Sequence, residues 1–316
     1  MLMIYQYPLD IDDSSIGGGG IFGEPRTSVQ APSTSISCAI HIYKLRQIWS
    51  EIHETIYSHR MSAPINFGYA DPMRHKLEIW HEKTPDQVET GVGGHHSVFS
   101  SKEWFSIAYN HTVRLIYRHH LNVSDPGTAA YNYSDQSSSA REAVNSAFII
   151  CSNAGREICL LYRHLYISSS VIYSWGSLHM LFLGGLTYLH TLWASINVRR
   201  VTKCGDVYTT CAARTMVLAV IAERWKAAVS YRDIFETLAI KTVTMMCDND
   251  REALLVQGLP ACRQPWITEQ SEIEQSLRHL DWQEWIENVA DIGMCEGAQS
   301  VLDGFLGDRE TDNFQA

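Results

Sequence analysis

Residues 171–193 of this 316-residue chain read VIYSWGSLHMLFLGGLTYLHTLW, and the longer stretch 165–198 contains no Asp, Glu, Lys or Arg. A helix of this length could cross a lipid bilayer. However, the stretch carries several polar side chains and the pair Gly184-Gly185, and no other part of the chain resembles it. We therefore predict a helix buried in a protein core rather than a transmembrane helix, with the two glycines as the place where it would break.

The surrounding segments also have helical periodicity. Apolar residues recur at spacings of three or four, whereas alternation of apolar and polar residues is almost absent. Helices are predicted over 37–58, around Leu77 and Trp80 with an end near Pro85, over 104–115, across the small residues Ala143, Ala147, Cys151 and Ala154, over 211–225 and over 230–246. Ser230 and Asp233 have the spacing of a capping box. The predicted fold is an all-α, multi-helical globular domain.

Three polar segments rich in Gly, Pro, Ser and Asp separate these helices and are predicted loops: 1–36, 87–98 and 123–139. The predicted organisation is therefore an N-terminal loop segment over 1–36, a helical domain over 37–250 and an acidic C-terminal helix and tail over 251–316.

The charge is unevenly distributed along the chain. The net charge is −10, from 25 basic and 35 acidic residues, and residues 265–316 hold 2 of the basic and 12 of the acidic ones. The remaining 23 basic and 23 acidic residues make the body of the protein neutral. Phosphate contacts require clustered Lys and Arg, so a neutral body argues against direct DNA binding by this chain.

Motifs for metal, cofactor or nucleotide binding are absent from the sequence. None of the eight cysteines forms a Cys-x-x-Cys pair, so no zinc site is expected and the cysteines are predicted to be reduced and mostly buried. Asp10, Asp12 and Asp13 lack the glycine and final glutamate of a calcium loop, which favours a solvated acidic loop. No P-loop or dinucleotide-binding motif is present, and no cofactor is predicted.

The order of four segments resembles a known family. Residues 7–13 (YPLDIDD) resemble a turn that ends in Ile-Asp-Asp, and 104–121 (WFSIAYNHTVRLIYRHHL) a helix that ends in Leu-Tyr-Arg-Pro. Residues 172–192 resemble a central buried helix, and 211–239, with Glu-Arg-Trp and Tyr-Arg-Asp-Ile-Phe-Glu, the late helices. Together they resemble the regulatory, or middle homology, region of fungal transcription factors that bind DNA through a binuclear zinc cluster. Gln6-Tyr7-Pro8 replaces the usual Gly-Arg-Pro, and His119 stands where proline ends the helix.

The resemblance implies a regulatory fold without the zinc cluster, because no cysteines here have its spacing and the chain begins at the family's turn. It implies a nuclear protein of transcription regulation, tied to a metabolic or secondary-metabolite gene cluster. Its partners would be proteins, such as a coactivator or a full-length relative, and the fold leaves room for a small-molecule ligand.

Residues 267–290 (ITEQSEIEQSLRHLDWQEWIENVA) are predicted to form a helix in the acidic tail. Trp282, Trp285, Ile286 and Val289 continue its apolar stripe among acidic residues. Aromatic side chains kept accessible by acidic neighbours are typical of an activation segment that docks on a coactivator groove. A C-terminal helix packed on the body fits the pattern equally well, so both interpretations stay open.

Three functional hypotheses follow. The first is a transcription regulator or co-regulator acting through protein contacts, and the second is a scaffold or repressor that pairs with a full-length relative. The third is a pathway enzyme, an isomerase, cyclase or hydrolase, that recruited the same fold. In that case the polar groups on apolar helices, His111, His179, Tyr188 and His190, would be the candidates for acid/base chemistry. The enzyme hypothesis requires a closed pocket in which at least two of them converge.

Overall fold

The computed structural model of the chain describes residues 7–28, 30–57, 67–86, 98–122, 138–168 and 175–256. Within these ranges the β-strands are the hairpin strands β1 (Ile16–Gly17) and β2 (Gly20–Ile21). The α-helices are α1 (Ser37–Ile52), which continues as a π-helix over His53–Tyr57, α2 (Ala70–Glu82), α3 (Lys102–Tyr117), α4 (Ser138–Ser168), α5 (Trp175–Ala194), α6 (Ile196–Val201), α7 (Cys204–Arg224) and α8 (Ala228–Val256). The predicted all-α fold is confirmed. The predicted C-terminal helix and tail beyond Val256 lie outside the described residues.

The chain divides into two compact units. The first consists of Met1–His119 and His164–Val171, and the second of His120–Arg163 and Ile172–Ala316. Helices α1, α2 and α3 belong to the first unit, and α5 to α8 belong to the second. The boundaries predicted after residues 36 and 250 stay a prediction.

Hydrogen bonds from side chains fasten the N-terminal segment to the start of α1. Oδ1 of Asp10 accepts hydrogen bonds from the hydroxyls of Ser37, at 2.7 Å, and Thr34, at 2.5 Å. Oδ1 of Asp12 accepts one from the backbone N–H of Ser35, at 2.9 Å. The expectation of a solvated acidic loop is therefore wrong for these two carboxylates, because they satisfy donors at the beginning of the helix.

The core of the first unit is formed by the apolar stripes of α1, α2 and α3. Leu45, Leu77, Phe105 and Ile107 have almost no exposed surface. The indole N–H of Trp80 on α2 donates a hydrogen bond to the backbone carbonyl of His41 on α1, at 2.9 Å. The predicted amphipathic helices are confirmed, since their apolar faces are the ones that become buried.

Helix α5 is the most completely buried helix of the second unit, as its sequence predicts. Its apolar residues Leu181, Phe182, Leu186, Leu189 and Leu192 have no exposed surface. The helix runs without interruption through its two glycines, so the break predicted there does not occur. Among the helices that the structure describes, none combines the length and the hydropathy that a membrane crossing requires.

Glycines on α4 and α5 allow these two helices to approach closely. A Cβ atom added to Gly155 on α4 would lie 2.5 Å from the backbone oxygen of Gly184 on α5. A Cβ added to Gly184 would in turn lie 2.9 Å from the side chain of Ile158. Of the four small residues predicted to permit close packing, Ala147, Cys151 and Ala154 are buried and Ala143 is half-buried.

Helices α7 and α8 pack along each other and are joined by a disulfide. Cys204, the first residue of α7, is bonded to Cys247 on α8, with 5.7 Å between the two Cα atoms. The prediction that the cysteines are reduced is therefore wrong for this pair, which lies 43 residues apart in the sequence. Cys38, Cys159 and Cys211 are thiols that form no disulfide within the described residues.

The start of α8 also differs from its prediction. The helix begins at Ala228, whose N–H donates a hydrogen bond to the carbonyl of Trp225 at 2.9 Å. Ser230 therefore lies inside the helix and is exposed, rather than capping it. The capping-box prediction is wrong because the turn that follows α7 starts the helix earlier than the local sequence pattern does.

Candidate functional site

His111 lies on the buried face of α3 in the first unit. Its ring is 5.5 Å from the ring of Trp49, and its Nδ1 is 3.4 Å from Nη2 of Arg114 one turn away. The indole N–H of Trp49 donates a hydrogen bond to the hydroxyl of Thr112, at 2.6 Å. The surroundings of His111 are thus a packed core with polar partners.

The other three residues proposed for acid/base chemistry lie on α5 in the second unit. Tyr188 is buried, and burial raises the pKa of its phenol. The ring of His190 stacks on Phe148 with 6.3 Å between centroids, and burial lowers its pKa to about 4. His179 is half-buried. Tyr188 and His190 are two positions apart and so face different sides of the helix.

Two open clefts lie in the first unit. One, here called the α1–α2 cleft, has a volume of about 430 Å³ and is lined by the N-terminal segment, α1 and α2. The other has a volume of about 480 Å³ and lies between the end of α1 and the end of α3. None of the four proposed acid/base residues lines either cleft. Their catalytic assignment therefore stays a prediction.

The core of the second unit contains an arginine that the sequence analysis missed. Arg214 on α7 has no exposed surface, and its Nη2 donates a hydrogen bond to the backbone carbonyl of Phe182 at 2.9 Å. Its guanidinium carbon lies 3.4 Å from the ring centroid of Phe235 and 5.1 Å from that of Phe182. Gly185 on α5 leaves the space that the guanidinium occupies, because a Cβ atom at this position would lie 2.2 Å from Nη1 of Arg214. The arginine is thus held by aromatic faces and a carbonyl.

Burial changes the titration of Arg214 and its neighbours. Burial lowers the pKa of Arg214 to about 9, while the nearby thiols of Cys159 and Cys211 act in the opposite direction. Burial raises the pKa of Cys159 to about 11 and that of Cys211 to about 12. At neutral pH the guanidinium is charged and both thiols are protonated, so this cluster offers no reactive thiolate.

His41 is a second buried group that the sequence analysis missed, although it stands on the apolar stripe of α1. Its ring stacks on Trp80 at 4.5 Å and meets Phe105 edge-on at 5.2 Å. Burial, together with the charges of Lys44 and His81, lowers the pKa of His41 to about 3. Its Nε2 is buried and has no hydrogen-bond partner.

The depressed pKa of His41 predicts a loss of stability in mild acid. In the unfolded chain the imidazole titrates near its ordinary pKa of about 6.5, so the unfolded state binds the proton more readily below that pH. The contribution of neutral His41 to the free energy of unfolding is complete above pH 6.5, and it falls as the pH is lowered toward 3. We expect His41→Phe, which keeps a flat ring against Trp80, to make the unfolding temperature less sensitive to pH between 7 and 5. Unfolding temperatures are measured by circular dichroism. If they depend on pH equally in the variant and in the unchanged protein, this prediction is wrong.

No group of three or more His, Cys, Asp or Glu side chains that could hold a metal ion occurs within the described ranges. The predicted partner-contact residues of the tail, Trp282, Trp285, Ile286 and Val289, lie outside the described residues.

The chain is similar to a fungal regulator of transcription. The relative is the positive regulator of purine utilization of Emericella nidulans, with 26% identity over 271 residues. The match covers 76% of this chain and 24% of the relative, so the chain spans about a quarter of that protein's length. The predicted resemblance to the regulatory region of fungal zinc-cluster factors is thereby confirmed. No known protein-family profile matches the chain. No solved structure matches it either.

Proposed function

We propose that this chain regulates transcription of metabolic or secondary-metabolite genes in the nucleus, and that it acts through contacts with other proteins. The observation that carries the proposal is the similarity over 271 residues to a fungal positive regulator. The relative's name makes purine-utilization genes the first targets to examine.

Two properties of the chain support action through protein contacts. Its residues 1–264 carry equal numbers of basic and acidic side chains, whereas a domain that grips DNA is usually basic. Its acidity is concentrated in residues 265–316, where tryptophans alternate with carboxylates. A segment of that composition binds apolar grooves on partner proteins.

A reporter assay tests the proposal directly. The full chain is fused to an unrelated DNA-binding domain in a fungal host, and transcription is measured from a promoter that carries the matching site. We expect transcription above that of the DNA-binding domain alone. We expect Trp282→Ala combined with Trp285→Ala to remove most of this increase, because the two indoles supply the apolar contact area.

Gln283→Ala is the matched control, since it changes a polar neighbour between the two tryptophans and leaves the acidic charge intact. It should retain the activity of the unchanged fusion. A fusion that leaves transcription at the level of the DNA-binding domain alone would overturn the proposed activation. A fusion that lowers transcription would favour a repressor instead. Equal losses with Gln283→Ala and with the double variant would show that the tryptophans are not the contact residues.

A further inference from the structure

The α1–α2 cleft has the dimensions of a binding site for a small molecule. Its volume of about 430 Å³ lies within the range of about 300–1,000 Å³ that ligand pockets occupy. Ile40 and Ile48 of α1 and Ile79 and Trp80 of α2 supply apolar surface to it. All of its lining residues belong to the first unit, so one compact body of the protein forms the whole cleft.

The charges that line the cleft do not balance. They comprise four cations and two anions: Arg26, Lys44, Lys76, Lys83, Asp10 and Glu51. Both anions already form ion pairs. Oδ2 of Asp10 lies 3.7 Å from Nη1 of Arg26, and Oε2 of Glu51 lies 2.5 Å from Nζ of Lys76. Lys44 and Lys83 therefore remain as two positive charges for which no described residue provides a carboxylate. The ammonium nitrogen of Lys44 lies 5.8 Å from the ring centroid of Tyr7.

A buried polar atom at the same cleft is also unsatisfied. His41 lines the cleft with 5% of its surface exposed, and its Nε2 has no hydrogen-bond partner. A buried polar group without a partner is unfavourable, and such groups are usually satisfied by protein, water or a ligand. The cleft thus combines excess positive charge with an apolar wall, and the unpartnered nitrogen of His41 is buried rather than exposed to the cleft.

We propose that the α1–α2 cleft binds a small organic anion that has an apolar body and at least one carboxylate. The apolar body packs against the isoleucines and Trp80, and the carboxylate accepts from the ammonium groups of Lys44 and Lys83. The proposal goes beyond the proposed function, because it assigns a ligand site and requires no particular role in transcription.

Binding is tested on the purified full chain with two probes of equal shape and different charge, 2-naphthoate and the neutral 2-naphthamide. Dissociation constants are measured by saturation-transfer NMR at pH 7 and low ionic strength. Because both lysines are exposed and each contact is worth little, we expect naphthoate to bind roughly tenfold more tightly than naphthamide.

Substitutions locate the site. Lys44→Gln combined with Lys83→Gln should bring the two affinities within about twofold of each other, since it removes the charge that distinguishes the probes. Lys102→Gln is the control, because Lys102 lies on the same unit, pairs with Asp86 at 3.3 Å and does not line the cleft. It should keep the preference for the anion.

Two results would overturn the proposal. The first is equal affinity of the unchanged protein for both probes, or no detectable binding of either. The second is a preference for the anion that survives the double lysine substitution, since the anion would then bind elsewhere. Binding is measured without any reporter, so a failure here is distinct from a failure of the transcription assay.

Discussion

Replacing Gly155 with alanine is expected to lower the free energy of unfolding of the second unit by about 3 kcal/mol, the upper part of the range for overpacked cores. The new Cβ would lie 2.5 Å from the backbone oxygen of Gly184 and 3.1 Å from the backbone nitrogen of Tyr188. A backbone atom inside a helix cannot turn aside as a flexible side chain can. Helices α4 and α5 would therefore have to separate along their shared face. Urea denaturation followed by circular dichroism measures the change.

Gly205→Ala is the matched control for this prediction. Gly205 is also a helical glycine, the second residue of α7, but apart from the adjacent backbone of its own helix no atom lies within 4 Å of the position of its added Cβ. Alanine there should leave stability unchanged or raise it by up to about 1 kcal/mol, because alanine loses less backbone entropy in a helix than glycine. If the two substitutions have equal effects, close contact between α4 and α5 is not what makes Gly155 necessary.

Breaking the bond between Cys204 and Cys247 is expected to lower the free energy of unfolding by about 2–4 kcal/mol. The bond closes a loop that contains most of α7 and α8, with a sequence separation of 43 residues. Its removal lets the unfolded chain explore more conformations, which stabilises the unfolded state. The variant that carries Cys204→Ser and Cys247→Ser should denature at lower urea concentration than the oxidised protein, and so should the unchanged protein after reduction.

The reductant also serves as the control. It should not alter the denaturation of the double serine variant, since the bond that it breaks is already absent. Peptide mapping by mass spectrometry without reduction should detect a linked pair of peptides that contains both cysteines. The prediction is wrong if no linked pair is found, or if the oxidised and reduced proteins unfold at the same urea concentration.

Several features of the candidate sites could be read from local sequence, and others could not. The apolar environment of His111 was predictable, because Ile107 and Ala108 lie on the same helical face and are buried with it. Arg214 gave only an indirect signal, a charged residue on the otherwise apolar face of α7 that includes Val217 and Leu218. The space that receives it comes from Gly185 on another helix, and nothing in the local pattern pairs the two residues.

The α1–α2 cleft was not predictable for the same reason. Its charges come from the N-terminal segment, α1 and α2, and their balance depends on which pairs meet in space. Lys76 and Glu51 lie 25 positions apart and form an ion pair, while Lys44 and Lys83 receive no acidic partner among the described residues. The net charge of the body is zero by sequence, yet the lining of this cleft is positive.

The sequence by itself determined that this protein is helical and that its long uncharged stretch contributes a core helix, which the structure describes as α5 (Trp175–Ala194). An uncharged apolar segment with scattered polar groups must be buried, and the surrounding periodicity leaves only helices to cover it. The tertiary structure alone decided that this helix stays continuous at its glycines, because the missing Cβ atoms admit α4 on one side and Arg214 on the other. Periodicity reports which face of a helix is buried. Only packing decides what that face contacts.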